Sequence, residues 1–123
     1  MDATAVVTAL FERMQVRDWA GARQVMADDA RITYSATGEV FSGASFMAMN
    51  EAYPEGWTIE IVDILAAGDR VAAQIRVPNS GQIDWLSGFY TVRDGVIVEG
   101  HEHWVTERAE PTPDWRKPFT DND

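Results

Sequence analysis

The sequence predicts an α+β fold: helices first, then a curved antiparallel sheet packed against them. Three observations carry this. Apolar residues near the start recur at helical spacing. From Trp57 onward the period drops to two. The pairs Gly68-Asp69 and Asp94-Gly95 divide this second half into strands joined by short turns. Helices followed by a run of hairpin-linked strands place the helices on one face of a sheet. A sheet curved strongly enough around them makes a cone with an open mouth.

Each element follows in order. Val6, Val7, Leu10, Phe11 and Met14 make the apolar stripe of a first helix, with Asp2 or Thr4 as its cap. A second, short helix follows Asp18 and buries Trp19, Ala22, Val25 and Met26. "ARITYS" reads as a first strand with Ile32 and Tyr34 on one face. "SATGEVFSG" reads as turn, and "ASFMAMNEAY" as a third helix stopped by Pro54.

The remaining strands alternate. The expected inward residues are Trp57, Ile59 and Ile61, then Val71, Ala73, Ile75 and Val77. Ile83, Trp85, Ser87 and Phe89 follow, and Val96, Val98, Glu102 and Trp104 close the set. The chain of 123 residues reads as one domain, 1–123, with residues 110–123 an extended tail lying on it.

Composition narrows the function. The net charge of −10 repels a phosphate backbone, so no nucleic-acid partner is expected. No apolar run approaches the ~20 residues of a membrane span. The start "MDATAVVTALFERMQ" has an early acid and no basic region, so no signal peptide and a cytoplasmic location are expected. There is no cysteine, which excludes disulfides and zinc–thiolate sites. No phosphate loop, dinucleotide fingerprint or nucleophile elbow appears, and no cofactor is expected.

The sharpest feature lies in "GVIVEGHEHWVTE". By alternation Glu102 shares a face with Val96, Val98 and Trp104. A carboxyl held among apolar neighbours resists ionising, which suits a general acid or base near neutral pH. His101 and His103 take the opposite face. An H-x-H pair can hold a metal, but these are the chain's two histidines and surface positions are the simpler reading, so no metal is expected. A bulge at Gly100 would exchange the faces and bring His101 or His103 inward instead. Asp63 alternates with Ile61 and Leu65, so an inward position stays open beside the simpler reading that the strand ends there, and Asp84 reads as a solvated edge acid. Trp57, Trp85 and Trp104 pack the core or line a pocket, and Tyr34 and Tyr90 can supply hydroxyls.

Four segments, "FERMQVRDWAGARQVMADDARITYS", "AAGDRVAAQIRV", "GFYTVRDGVIVEGHEHW" and "PDWRKPF", resemble the SnoaL-like branch of the nuclear transport factor 2-like superfamily. The resemblance implies a cone-shaped curved sheet on three helices, an apolar cavity, and often a homodimer through the sheet's outer face. The superfamily spans cyclases, isomerases, epoxide hydrolases, dehydratases and binding domains, so it fixes fold rather than activity. Its epoxide hydrolases carry a last-strand carboxylate near the end of a pattern like "DGxIxxWRDYF". On "DGVIVEGHEHW" this falls on Glu102, and their first-strand tyrosine falls on Tyr34. Their asparagine would fall on Ala36, and their arginine–aspartate pair near Gly81 and Ile83, so the epoxide-opening set is incomplete. The catalytic aspartates of the steroid isomerases have no match.

The expected site is therefore Glu102 as proton carrier and Tyr34 as oxygen polariser. Trp57, Ile83, Trp85, Phe89 and Trp104 would surround a small, mostly apolar molecule. Cofactor-free acid–base turnover, binding without turnover, and a structural dimer with a filled cone stay open as readings.

Overall fold

The computed structural model describes residues 1–122; Asp123, the end of the expected tail, lies outside them. Helix α1 spans Ala3–Gln15, and the Asp2 carboxylate caps it by accepting from Ala5 N at 2.8 Å. Its five stripe residues are all buried. Helix α2, Trp19–Arg23, is one short turn capped by Asp18. Helix α3 spans Gly43–Ala52 and ends before Pro54, with Ser42 as its cap.

Six strands form one curved, unclosed sheet in the order β2-β1-β6-β5-β4-β3. They are β1 Met26–Tyr34, β2 Glu39–Ser42, β3 Glu60–Ala67, β4 Arg70–Asn79, β5 Gln82–Arg93 and β6 Val96–Thr106. Strand β2 lies in the segment expected to be turn, hairpinned to β1. One pairing departs from the antiparallel expectation: β6 returns beside β1 and runs parallel to it. The α+β class with helices on one sheet is as the sequence predicts.

The facing of β4 is as expected, with Val71, Ala73, Ile75 and Val77 buried. On β3 an extra residue at Val62 shifts the register: Ile61, before it, pairs with the buried Ile75 on the inner face but stays 39% exposed, and beyond it Ile64, paired with Ala73, takes the inner side in place of Asp63. On β5 the expected face is reversed. Both faces of "IDWLSGFYTV" are apolar, so alternation alone cannot choose. Pairing chooses, because cross-strand partners share a face. Ile75 pairs with Leu86, Ala73 with Gly88 and Val71 with Tyr90. Leu86, Gly88, Tyr90 and Val92 therefore face in, while Phe89 is 46% exposed on the outer face.

The last strand also carries an irregularity, at Val98 rather than Gly100. Thr91 pairs with Glu99 but Val92 with Ile97, leaving Val98 as the extra residue. Ile97 is buried in place of the expected Val96 and Val98, and beyond the bulge Gly100, Glu102 and Trp104 face inward.

Within the tail, expected to be extended throughout, Asp114–Phe119 forms a 3-10 turn whose Trp115 and Phe119 are exposed. Proline at 111 and 113 holds the approach extended, and Pro118 lacks the N–H to prolong the turn. No helix among the described residues is long and apolar enough to cross a membrane.

Candidate active site

Glu102 is 2% exposed, the one buried acid among the described residues. Strand pairing builds its surroundings. Tyr34 of β1 lies beside it in the parallel pair, and Gly88 of β5 lies beside it in the antiparallel pair. Tyr90 is two residues from Gly88 on the same face. Its ring runs back over Gly88 and Gly100, and its hydroxyl donates to Glu102 Oε2 at 2.6 Å. A Cβ on Gly88 would sit on the Tyr90 hydroxyl, and one on Gly100 would come within 2.9 Å of its ring. Gly100 is therefore the room for Tyr90, not the hinge of a bulge. The indole N–H of Trp104 donates to the other carboxyl oxygen, Oε1, at 3.1 Å.

Burial raises the Glu102 carboxyl above the ordinary glutamate range, and the donors Tyr90, Trp104 and Tyr34 oppose that rise in part. Tyr90 and Trp104 hold the carboxyl by close hydrogen bonds, and the Tyr34 hydroxyl faces it as the weakest of the three donors. Burial and the neighbouring Glu102 push both Tyr34 and Tyr90 up, so both phenols keep their protons through neutral pH. Phe41 and Phe46 pack edge-on against the Tyr34 ring, at 5.0 and 6.5 Å between centroids, and Phe11 against Tyr90 at 6.1 Å. These contacts hold the hydroxyls in place.

The carboxyl lines a cavity of about 350 Å³ between the sheet and helices α1 and α3. That volume is at the lower end of the range for small-molecule sites. Phe11 and Met14 come from α1, Phe46 and Met49 from α3, and Ile75 and Leu86 from the sheet. Trp57 closes one wall, with the Arg17 guanidinium 3.4 Å over its ring and donating to its carbonyl at 2.7 Å. The Trp57 indole N–H is buried without a partner, the one such side-chain atom among the described residues.

Of the expected site residues, the fold brings Glu102, Tyr34, Trp57 and Trp104 to this cavity. Ile83, Trp85 and Phe89 do not line it, because β5 presents its other face. Trp85 instead donates its indole N–H to Glu107 at 2.9 Å. His101 and His103 stay on the outer face, at Glu99 Oε1 (3.2 Å) and the Ser87 carbonyl (3.3 Å). No group of metal-ligating side chains occurs among the described residues.

The sequence reading missed two parts of the site. One is Tyr90 as the partner of Glu102, for which the spaced glycines Gly88 and Gly100 were the available signal. The other is a polar cluster at the far end of the cavity. There Asp84, expected to be solvated, accepts from Thr106 Oγ1 at 2.6 Å, Asn79 Nδ2 at 3.2 Å and Gln82 Nε2 at 3.0 Å.

Comparison with known proteins bears on the fold. No curated protein matches the sequence. A candidate ketosteroid isomerase from Kribbella flavida is similar in structure, with a TM-score of 0.87 and 23% identity over 98% of this chain and 89% of that one. IdmH, a candidate polyketide cyclase from Streptomyces antibioticus, superposes with a TM-score of 0.73 and 21% identity over 87% and 93% of the two chains. An LEH-like epoxide hydrolase from M. tuberculosis gives 0.71 and 18% over 84% and 82%. At these identities the likeness is one of fold. The model of the SnoaL-like domain matches residues 7–100, more than half of the sequence, and the chain belongs to the SnoaL-like domain family.

Proposed function

We propose that this chain binds a small, mostly apolar carbonyl compound and moves a proton on it, with Glu102 as the proton carrier and no cofactor. The observation that carries this reading is a buried carboxyl, raised by desolvation, at the wall of an apolar cavity beside two protonated phenols. The Glu102 carboxylate would take a proton from the carbon next to the carbonyl. The C–H electron pair forms the carbon–carbon double bond, and the carbonyl π pair moves to oxygen. Tyr34, which keeps its proton and lines the cavity beside Glu102, would polarise that oxygen. Return of the proton to another carbon gives isomerisation; attack of the enolate carbon on a second carbonyl gives cyclisation.

Deuterium exchange into the methyl group of 2-acetylnaphthalene, followed by proton NMR in D2O, tests the reading. The wild-type chain accelerates exchange over buffer. Glu102→Gln keeps the shape and loses at least about a hundredfold of that acceleration. Exchange that is unchanged in Glu102→Gln would remove the role. A second reading is binding without turnover, favoured by the fact that both Glu102 oxygens already accept from Tyr90 and Trp104. It predicts saturable binding of the ketone with no exchange above buffer.

A further inference from the structure

The cavity has a second polar end that the proton-transfer reading does not use. Thr106 lies four residues beyond Glu102 on the same face of β6, roughly 13 Å along the strand at ~3.3 Å per residue. It pairs with Asp84 of β5, and both line the cavity together with Asn79, Gln82 and Tyr53. Asn79 is a buried polar side chain, 9% exposed, and its Nδ2 is shared between Asp84 and the Tyr53 hydroxyl at 3.2 Å each.

The chemistry of this end is that of an acceptor. A carboxylate offers about four lone-pair sites. Thr106, Asn79 and Gln82 are three neutral donor groups, and Gln82 Nε2 reaches both carboxylate oxygens, at 3.0 and 3.2 Å. None of the ion pairs among the described residues involves Asp84. The negative charge is thus fixed in position by its neighbours and is not cancelled, and a ligand donor would take the place of one of the two Gln82 contacts. Among the described residues no lysine, arginine or histidine lines the cavity, and the two acids that do are Asp84 and Glu102. A ligand carrying an anionic group would meet repulsion at both ends. A hydroxyl or amine at the end remote from Glu102 would meet a preoriented charged acceptor, and a charge-assisted hydrogen bond is about twice as strong as a neutral one.

We infer that Asp84 is a specificity residue, and that the ligand is an elongated apolar molecule with a hydroxyl or amine at the end opposite the reacting carbonyl. Neutral and cationic compounds enter; carboxylates and phosphates are rejected. This rests on the small-molecule reading above, and its test separates the two.

The test is binding of four matched ketones by fluorescence titration. They are 2-acetylnaphthalene and its 6-hydroxy, 6-methoxy and 6-carboxy derivatives. The wild-type chain binds the hydroxy compound about tenfold more tightly than the unsubstituted or methoxy compound, and the carboxy compound most weakly. In Asp84→Ala the hydroxyl preference falls to within about twofold, and the carboxy compound gains affinity. Asp84→Asn, which keeps the shape, serves if the alanine variant does not fold; there the hydroxyl preference drops at least threefold, again with a gain for the carboxylate. Equal binding of the hydroxy and unsubstituted ketones by the wild type overturns the role of Asp84 and leaves the cavity reading standing. A hydroxyl preference that survives in Asp84→Asn also overturns it. Failure of all four ketones to bind overturns the small-molecule reading itself, and this inference with it.

Discussion

The Tyr90 hydroxyl donates a 2.6 Å hydrogen bond to Glu102 Oε2 from across the β5–β6 pair, with both side chains buried. The tyrosine is a donor that stabilises the charged form of an acid which burial disfavours. Tyr90→Phe removes that donor and leaves its volume. A buried acid stripped of one partner costs about 1–3 kcal/mol, and urea unfolding at neutral pH checks this. Glu102→Gln in the same background should recover much of the loss, because the amide carries no charge to desolvate. Equal stability of wild type and Tyr90→Phe would show that the bond contributes nothing net.

The glycines flanking that ring make a second prediction. A methyl group at Gly88 would occupy the place of the Tyr90 hydroxyl. Gly88→Ala should therefore cost about 1–3 kcal/mol by overpacking, although alanine normally suits a strand better than glycine. It should also disturb the near-ultraviolet circular dichroism of the packed aromatic rings. Gly68→Ala is not an equivalent control, since Gly68 sits at φ +63° in a turn. Gly88 adopts no such conformation, so its requirement is one of space. A Gly88→Ala chain as stable as wild type would contradict the placement of Tyr90.

Much of this was legible in the sequence. Helical spacing gave α1 and its buried stripe, and the turn signals gave the strands β3 to β6. Glu102 was legible because it is a charge on an otherwise apolar face. What was not legible has a common cause. Strand β5 is apolar on both faces, so its orientation depends on its partner β4, which no single-strand pattern contains. The bulge at Val98 is of the same kind: alternation counted from Val96 takes the outer face before the bulge and so arrives at Glu102 and Trp104 on the inner face after it. Ile83, Trp85 and Phe89 were consequently placed in a cavity that Leu86 and the Tyr90 face actually build. The polar cluster at Asp84 escaped notice because it joins β4, β5 and β6, and nothing local marks Asp84 as more than a hairpin acid.

Stability should depend on pH through Glu102 with a definite sign. The folded chain holds this proton to higher pH than the unfolded chain does, since burial raises the carboxyl. Folding thus takes up a proton between the unfolded value, about 4.3, and the raised folded value. Across that window stability falls as pH rises, and the loss is complete above the folded value. Glu102→Gln lacks this contribution. Urea unfolding of both chains from pH 4 to pH 8 should show the variant gaining on the wild type as pH increases; a constant difference would contradict the shift.

The central claim is that Glu102 is a buried acid whose carboxyl burial holds above the ordinary glutamate value. It is tested most directly by carbon-13 NMR titration of the glutamate side-chain carboxyls, with the Glu102 resonance assigned by its absence in Glu102→Gln. The account predicts a midpoint above the ordinary glutamate value of about 4.3, moving higher still in Tyr90→Phe. A Glu102 midpoint at or below that of the exposed glutamates would contradict it.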